Sequence, residues 1–534
     1  MTTRRFLSVC TLALLSVNLG SCASTPTQQT PPNAAGRPGL VVLVVVDQLR
    51  ADLLDRYGDL FTGGFKRLRT DGHSFVNAAH DHGVTVTAAG HATLSTGVYP
   101  SRHGIVSNLW QERKGDRWVP VENIEDTTVR IVGVGDAVGA SPVHLMRQGF
   151  AEWVLASDSR SKVASVSGKD RGAIQPAAHA RRGYVYWFEG GFGRFVTSTY
   201  YRNADPDWVT AFNRDRVSKH ESETVWNFSG DASILSRSDP DTAANEADGV
   251  HTFFPHAFAD EKGSASFLVW WENTPFVDAL TLEMAEQMVT SLELGRDDAP
   301  DFLNVSLSAT DRVGHRFGPL SREQMDNLLR LDRELGEFFD FLDRTVGKDK
   351  WAVALSADHG VLDSPEDLIA RGEYGHRITA AENKTLDSLR ARADSNPDKR
   401  AAARELVSAL KKVPIVADAW THEDLARARD DSFAVLMKRS VFPGRPAGRF
   451  SRQGVEFRYR PGVYGAPRGS GHGQPYWYDR HVPLIFMGPG IAPAQDPARA
   501  ATVDFAPTFA TLLGISFPRD LDGRALMVSR KPEH

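Results

Sequence analysis

A chain of 534 residues, 41% hydrophobic and 24% charged, has the balance of a water-soluble globular protein and room for one large domain with insertions or for two to three ordinary ones. Its formal net charge of −5 is small for that length. No global field therefore steers it toward nucleic acid, and any anion it binds must meet a local positive site.

The chain opens with Arg4 and Arg5 ahead of an apolar stretch, Phe6 to Leu19. That is the pattern of a secretory signal, and the stretch is short for a membrane span. Leu19-Gly20-Ser21-Cys22 follows and resembles the bacterial lipobox, in which the Cys is lipidated and becomes the first mature residue. Ala23, not Asp, comes next, which implies the outer membrane; a plain cleaved signal with an incidental Cys is the alternative. Residues 1–21 are read as a signal peptide. Residues 22–38, rich in Thr, Pro, Gln, Ala and Gly, are read as a flexible tether, and 39–534 as the catalytic domain. Cys10 and Cys22 are the only cysteines. The mature chain therefore has no disulfide, no cysteine nucleophile and no cysteine metal ligand.

Five short apolar runs follow in order: Leu40–Val46, Lys162–Val166, Phe302–Leu307, Trp351–Leu355 and Val482–Phe486. Unbroken apolar runs of this length predict fully buried parallel strands. Helical patterns lie between them. The clearest is Arg322–Arg344, with Met325, Leu328, Leu329, Leu335, Phe338, Phe339 and Leu342 on one broad face. Strands separated by helices predict an α/β fold, three layers α/β/α around a mostly parallel sheet. Two irregular stretches, about 180–265 and 372–470, are read as insertions capping the sheet. The aromatics of the first (Tyr184, Trp187, Phe192, Tyr200, Trp208, Trp226) either line a cap over the site or form the cap's own core; the second reading is preferred.

The runs share a feature at their ends. Leu40–Val46 leads into Asp47, Lys162–Val166 into Lys169, Asp170 and Arg171, Phe302–Leu307 into Asp311 and His315, and Trp351–Leu355 into Asp358 and His359. In open α/β sheets ligands bind at the carboxyl ends of the strands. One such Asp is ordinarily a helix cap; four strands ending this way predict a converging site. Mixed carboxylate and imidazole suit zinc, whereas Mg²⁺ or Ca²⁺ would favour oxygen alone; ligand type leaves manganese and iron open. Between the first two of these runs lies Thr85-Val86-Thr87-Ala88-Ala89-Gly90-His91. Small residues after Thr87 suit the start of a closely packed helix, where free N–H groups and the dipole favour phosphate. Taken alone, Thr87 would read as a helix cap.

Together these segments resemble the alkaline phosphatase superfamily, and within it the phosphate-irrepressible periplasmic monoesterase branch, over most of the chain from about 40 to 520. The similar segments are Val46-Asp47-Gln48-Leu49-Arg50, Thr87-Ala88-Ala89-Gly90-His91-Ala92, Gly104-Ile105-Val106-Ser107-Asn108-Leu109-Trp110, Lys169-Asp170-Arg171-Gly172-Ala173, Asp311-Arg312-Val313-Gly314-His315, Asp358-His359-Gly360 and His472-Gly473-Gln474-Pro475-Tyr476. The resemblance implies two Zn²⁺ per chain. Asp311, His315 and His472 would hold one, and Asp47, Asp358 and His359 the other, with the Thr87 oxygen. It implies phosphate monoester hydrolysis through a phosphothreonine on Thr87, with Asn108, Lys169 and Arg171 on the nonbridging oxygens. Lys169 would stand in for a third metal, so that added Mg²⁺ is not required. His256, His376 and His481 are read as structural or supporting.

Small-molecule monoesters are the expected partners, with no nucleic acid, membrane contact only through Cys22, and a monomeric, periplasm-facing protein. A sulfatase is excluded because Val98 stands where its nucleophile would be in Val98-Tyr99-Pro100-Ser101-Arg102. A nucleotide pyrophosphatase or phosphodiesterase is the runner-up: it shares the threonine, asparagine and ligands. Lys169 and Arg171 favour the dianionic monoester over the monoanionic diester. A phosphotransferase and a non-catalytic phosphate-ester-binding lipoprotein are the remaining readings.

Overall fold

The computed structural model describes residues 37–217, 219, 222–241, 243, 245–246, 249, 252–258, 264–430 and 432–528. The signal peptide, Cys22 and nearly all of the tether lie outside the described residues. Leu40–Val46 forms a strand whose seven residues are all buried. Val42, Val44 and Val46 enter one core, while Val41, Leu43 and Val45 enter another. Alternate side chains leave a strand on opposite faces, so an unbroken apolar run is what a strand covered on both sides requires.

Nine strands of the described residues line up in the order Ala494–Ala501, His73–Ala79, Leu484–Met487, Trp351–Ser356, Leu40–Val46, Asp301–Leu307, Val163–Ser167, Tyr184–Glu189, Arg194–Val196. The central pairs are parallel and nearly flush: Val45 is level with Ser306 and with Ser356. Flush parallel strands end at one edge, which is what gathers Asp47, Asp311 and Asp358 there. One core packs helices Phe276–Leu292 and Arg322–Leu342 on the sheet; the other packs Phe150–Ser157 and Phe505–Leu513 on its opposite face. The three-layer α/β/α architecture and mostly parallel sheet are as expected. All seven residues of the anticipated apolar face on Arg322–Leu342 are buried, and Ser321 caps this helix through the Gln324 N–H.

Two expectations change. The run Val482–Phe486 becomes strand Leu484–Met487, and it is antiparallel to both neighbours. Its N-terminal end therefore meets the shared edge, which lets His472 arrive from before a strand while the other ligands follow theirs. An apolar run records burial on both faces but not direction. Residues 184–196, expected to begin a cap, are instead the last two strands of the sheet. Most aromatics of the 180–265 stretch pack into the body. Trp187 meets Ile174 and Ala177, and Trp226 donates its indole N–H to Asp326 at 2.7 Å. Tyr184, Trp208 and Trp226 join the main core and Trp187 and Tyr200 a second cluster on the sheet, so these five form no separate cap core, while Phe192 is exposed.

Within 372–470, helices Ala380–Ser395 and Lys399–Leu410 pack on an antiparallel pair, Val416–Thr421 with Val455–Tyr459. Leu386, Leu406, Leu410, Ile415, Phe450 and Val455 form a separate small core there.

Candidate active site

Thr87 is the first residue of a buried ten-residue helix, Thr87–Thr96. Its small side chains let the helix lie directly on the sheet edge: a Cβ on Gly90 would stand 2.0 Å from the Asp358 carbonyl oxygen. That contact puts Thr87 Oγ1 3.5 Å from His359 Nε2. Asn108 joins through its Oδ1, which accepts from the Ala88 N–H at 2.9 Å. Its amide NH₂ is thereby left for another acceptor beside Thr87.

The anticipated carboxylate and imidazole ligands come together from four separated segments. Asp311, His315 and His472 present ligand atoms within 4.8 Å of one another, and so do Asp47, Asp311 and His359. Asp358 adjoins the second group, its Oδ2 3.6 Å from His359 Nε2. Asp311 thus reaches both groups, where the sequence reading gave it to one.

The imidazoles are oriented alike. Nδ1 of His315 donates to the Ser470 carbonyl (2.8 Å), that of His472 to Thr85 (2.7 Å) and that of His359 to Gly360 (2.9 Å). Every Nε2 is then turned inward, and those of His315 and His472 lie 3.2 Å apart. Burial, followed by the neighbouring imidazoles His359 and His315, pushes His472 well below the ordinary histidine range and keeps it neutral.

The carboxylates repeat the pattern. Asp47 Oδ1 and Asp358 Oδ2 are buried with no hydrogen-bond donor. Burial, then the charges of Asp311 and Asp358, drives the Asp47 pKa up. Burial also works to raise Asp358, but the His359 and His91 imidazoles outweigh it and hold this carboxyl ionised. Three buried carboxylates, three inward imidazole nitrogens and two donorless oxygens fit divalent cations, since a buried charge requires a partner.

Lys169 and Arg171 sit where Val163–Ser167 passes into helix Asp170–Ala177. The buried Lys169 ammonium bridges Asp47 Oδ2 and Asp311 Oδ2, each at 2.5 Å. It therefore serves the carboxylates directly, a task the sequence reading did not give it. Arg171 is turned toward Asp170 at 3.5 Å, and its buried Nε has no partner.

Two further residues escaped the sequence reading. The Gln48 backbone N–H donates to Asp358 Oδ1 (3.1 Å), and its side-chain amide donates to Asp311 Oδ1 (2.7 Å). His91 Nδ1 lies 2.9 Å from the Thr87 carbonyl oxygen and 3.2 Å from Asp358 Oδ2, while its Nε2 meets Ser306 Oγ at 2.9 Å. Both stand inside segments that carry the resemblance. The available signal was a polar side chain immediately beside a ligand, or one turn after Thr87, at a position the pattern marks as buried. His256 pairs with Glu323 (2.8 Å), His376 with Glu382 (2.9 Å), and His481 Nε2 with the Val76 carbonyl (3.1 Å). None of these contacts is to a member of the site.

A hydroxyl at a helix start, facing carboxylate–imidazole groups at the carboxyl edge of an α/β sheet, defines a phosphoric-ester hydrolase of the alkaline phosphatase superfamily. The chain belongs to the type I phosphodiesterase / nucleotide pyrophosphatase family, whose model matches residues 41–450. It is 35% identical over 528 residues to alkaline phosphatase PafA of Elizabethkingia meningoseptica, covering 92% of this chain and 95% of that one. It is 32% identical over 523 residues to alkaline phosphatase PhoV of Synechococcus elongatus, covering 93% of each. The crystal structure of wild-type PafA superposes with a TM-score of 0.85 at 32% identity, over 93% of this chain and 100% of that one.

Proposed function

We propose that the protein is a two-zinc alkaline phosphatase that hydrolyses small phosphate monoesters through a phosphothreonine on Thr87. The observation that carries this reading is the 3.5 Å approach of Thr87 Oγ1, at a helix start, to the edge of the converged ligand cluster. Asp311, His315 and His472 would hold one ion, and Asp47, Asp358 and His359 the other. When bound, the ions supply the Lewis acidity that favours ionisation of a hydroxyl and neutralises a leaving oxygen.

The chain's own groups do the rest. Thr87 Oγ1 attacks phosphorus in line with the scissile P–O bond, and the leaving oxygen departs on the opposite side. Charge builds on the nonbridging oxygens. The Thr87 helix start, the Asn108 NH₂, Lys169 and Arg171 would meet it, Arg171 by turning from Asp170. Water then attacks the phosphothreonine from the side the leaving group vacated, releasing phosphate and restoring Thr87.

The monoester reading rests on Lys169, buried against the carboxylates Asp47 and Asp311, with Arg171 close by in sequence, two cations that would reward the additional charge of a monoester dianion, and on relatives named alkaline phosphatases over nine-tenths of the chain. A phosphodiesterase is the second reading, supported by the description of the matching family. Rates with an aryl phosphate monoester and its matching diester decide between them: a faster diester overturns the assignment. Thr87→Ala should lower turnover by at least ~10³-fold, because the covalent route is removed. With Lys169 as the third cation, the zinc-loaded enzyme should gain nothing from added Mg²⁺. The Leu19–Cys22 segment supports a lipid-anchored, periplasm-facing protein; Cys22→Ala should move it from the membrane fraction to the soluble one.

A further inference from the structure

A groove of about 820 Å³ opens between the body and the insertion. Three of its wall residues adjoin the site in sequence. Val84 precedes Thr85, whose carbonyl receives His472; Ser107 precedes Asn108; Gly473 follows His472. In-line attack by Thr87 would send the leaving group away from the Thr87 helix, and His472 stacks at 3.6 Å on the His359 ring that Thr87 Oγ1 approaches. Gly473 leads from there into the groove.

The groove is larger than a simple alkyl phosphate needs and falls within the range of a ligand-sized pocket. Its walls are cationic. Lys438 is held by the carbonyls of Ala426 and Ala428, and Arg445 by those of Gly104 and His144, with Glu112 3.8 Å from the Arg445 Nε. Arg449 pairs with Asp387 at 3.0 Å. The acid lining the groove, Glu456, is paired with His422 at 3.1 Å. Arg452 is exposed, lies over the Trp118 ring at 5.6 Å, and has no acidic partner among the described residues. Past Trp118 and Arg452 lies a second cavity of about 520 Å³, lined by Arg113, Lys399, Arg400 and Arg404 and by two acids, Asp394 and Glu423, the latter paired with Arg400.

We propose that this groove receives the leaving group and selects phosphomonoesters whose leaving group is an aromatic ring bearing a second negative charge, with the ring at Trp118 and the anion at Arg452. The inference rests on the monoesterase reading and names the substrate class of the same site. Arg452 offers a charge-assisted fork that a neutral ring cannot use. Trp118 offers an aromatic face to any aryl group.

The test compares methyl phosphate, para-carboxyphenyl phosphate and the neutral para-carboxamide analogue in the zinc-loaded full chain. Arg452→Ala should lower kcat/KM for the carboxylate about 5- to 10-fold, mainly through KM, and change the carboxamide less than about twofold. Arg452→Lys should restore part of the loss. Trp118→Ala should weaken both aryl substrates relative to methyl phosphate. Equal effects of Arg452→Ala on the two aryl substrates, or no effect on either, would overturn the inference while leaving the monoesterase reading intact. A wild-type enzyme that hydrolyses none of the three esters ends the monoesterase reading and this inference with it.

Discussion

At Gln48 the backbone takes φ of +71°, a left-handed conformation that costs a residue with a Cβ about 1–3 kcal/mol. The donors to Asp358 and Asp311 hold it there. Gly314 leaves the room, since a Cβ at that position would stand 2.0 Å from Gln48 Oε1. The glycine of the Asp311–His315 segment thus exists for a side chain some 260 positions earlier, and Gln48 ties a carboxylate of one ligand group to a carboxylate of the other. Gln48→Gly would relieve the strain and remove the amide. Partners that orient metal ligands are worth about 10–100-fold in affinity or activity. Zinc affinity by chelator competition and kcat/KM should both fall within that range; a variant unchanged in both would reduce Gln48 to a packing residue. The candidate ligands were legible because an Asp directly after seven apolar residues, or an Asp-His pair ending a strand, has few structural excuses. Gln48 was not, because its role depends on Asp311 and Asp358, which only folding brings near.

The Thr87–Thr96 helix shows what sequence says about an element and what it withholds. Runs of Ala, Gly and Thr announced close packing after Thr87. The surface packed against, the Asp358 carbonyl, lay 268 residues away and was not visible. Gly90→Ala places a Cβ against backbone that has little freedom to move. It should cost about 1–3 kcal/mol of stability, the usual penalty for overpacking, and displace Thr87 enough to lower kcat at least tenfold. Chemical denaturation and steady-state rates on the same preparation check both; full activity with unchanged stability would mean the helix can shift freely. Strand Leu484–Met487 makes the same point. Its burial was readable from four apolar residues in a row. Its antiparallel direction was set by which neighbours, Trp351–Ser356 and His73–Ala79, were left to pair with it.

For the molecule as a whole, buried neutral histidines around the Thr87 helix set a limit in acid. His80 donates to the Ala357 carbonyl and accepts from Thr502 Oγ1; burial lowers its pKa to about 4. His103 lies between Thr93 Oγ1 and the Ile105 N–H, and burial, then the Arg445 charge, lowers it to about 3. Burial also holds His82 well below its ordinary value. Below about pH 6.5 the unfolded chain takes up protons at these positions that the folded one refuses. Stability from these groups is therefore complete above pH 6.5 and is lost as pH falls through about 4, with His80 alone contributing on the order of 3 kcal/mol. The urea midpoint should drop steeply between pH 6.5 and 4, and His80→Gln, which cannot take a proton, should flatten the slope. A midpoint constant from pH 7 to 5 would contradict the burial of these rings.

By itself the sequence determined which strands are covered on both faces, which residues end them, and that the chain resembles phosphate-ester hydrolases, because burial and strand-end chemistry leave local patterns. Tertiary structure alone decided that Asp311 lies within reach of both candidate ligand groups, that Lys169 bridges two carboxylates, that residues 184–196 complete the sheet, and that a groove rich in Arg and Lys opens beside His472. Each of these is a relation between distant segments. It follows from strand order and direction, which pairing and packing select and no single stretch of chain contains.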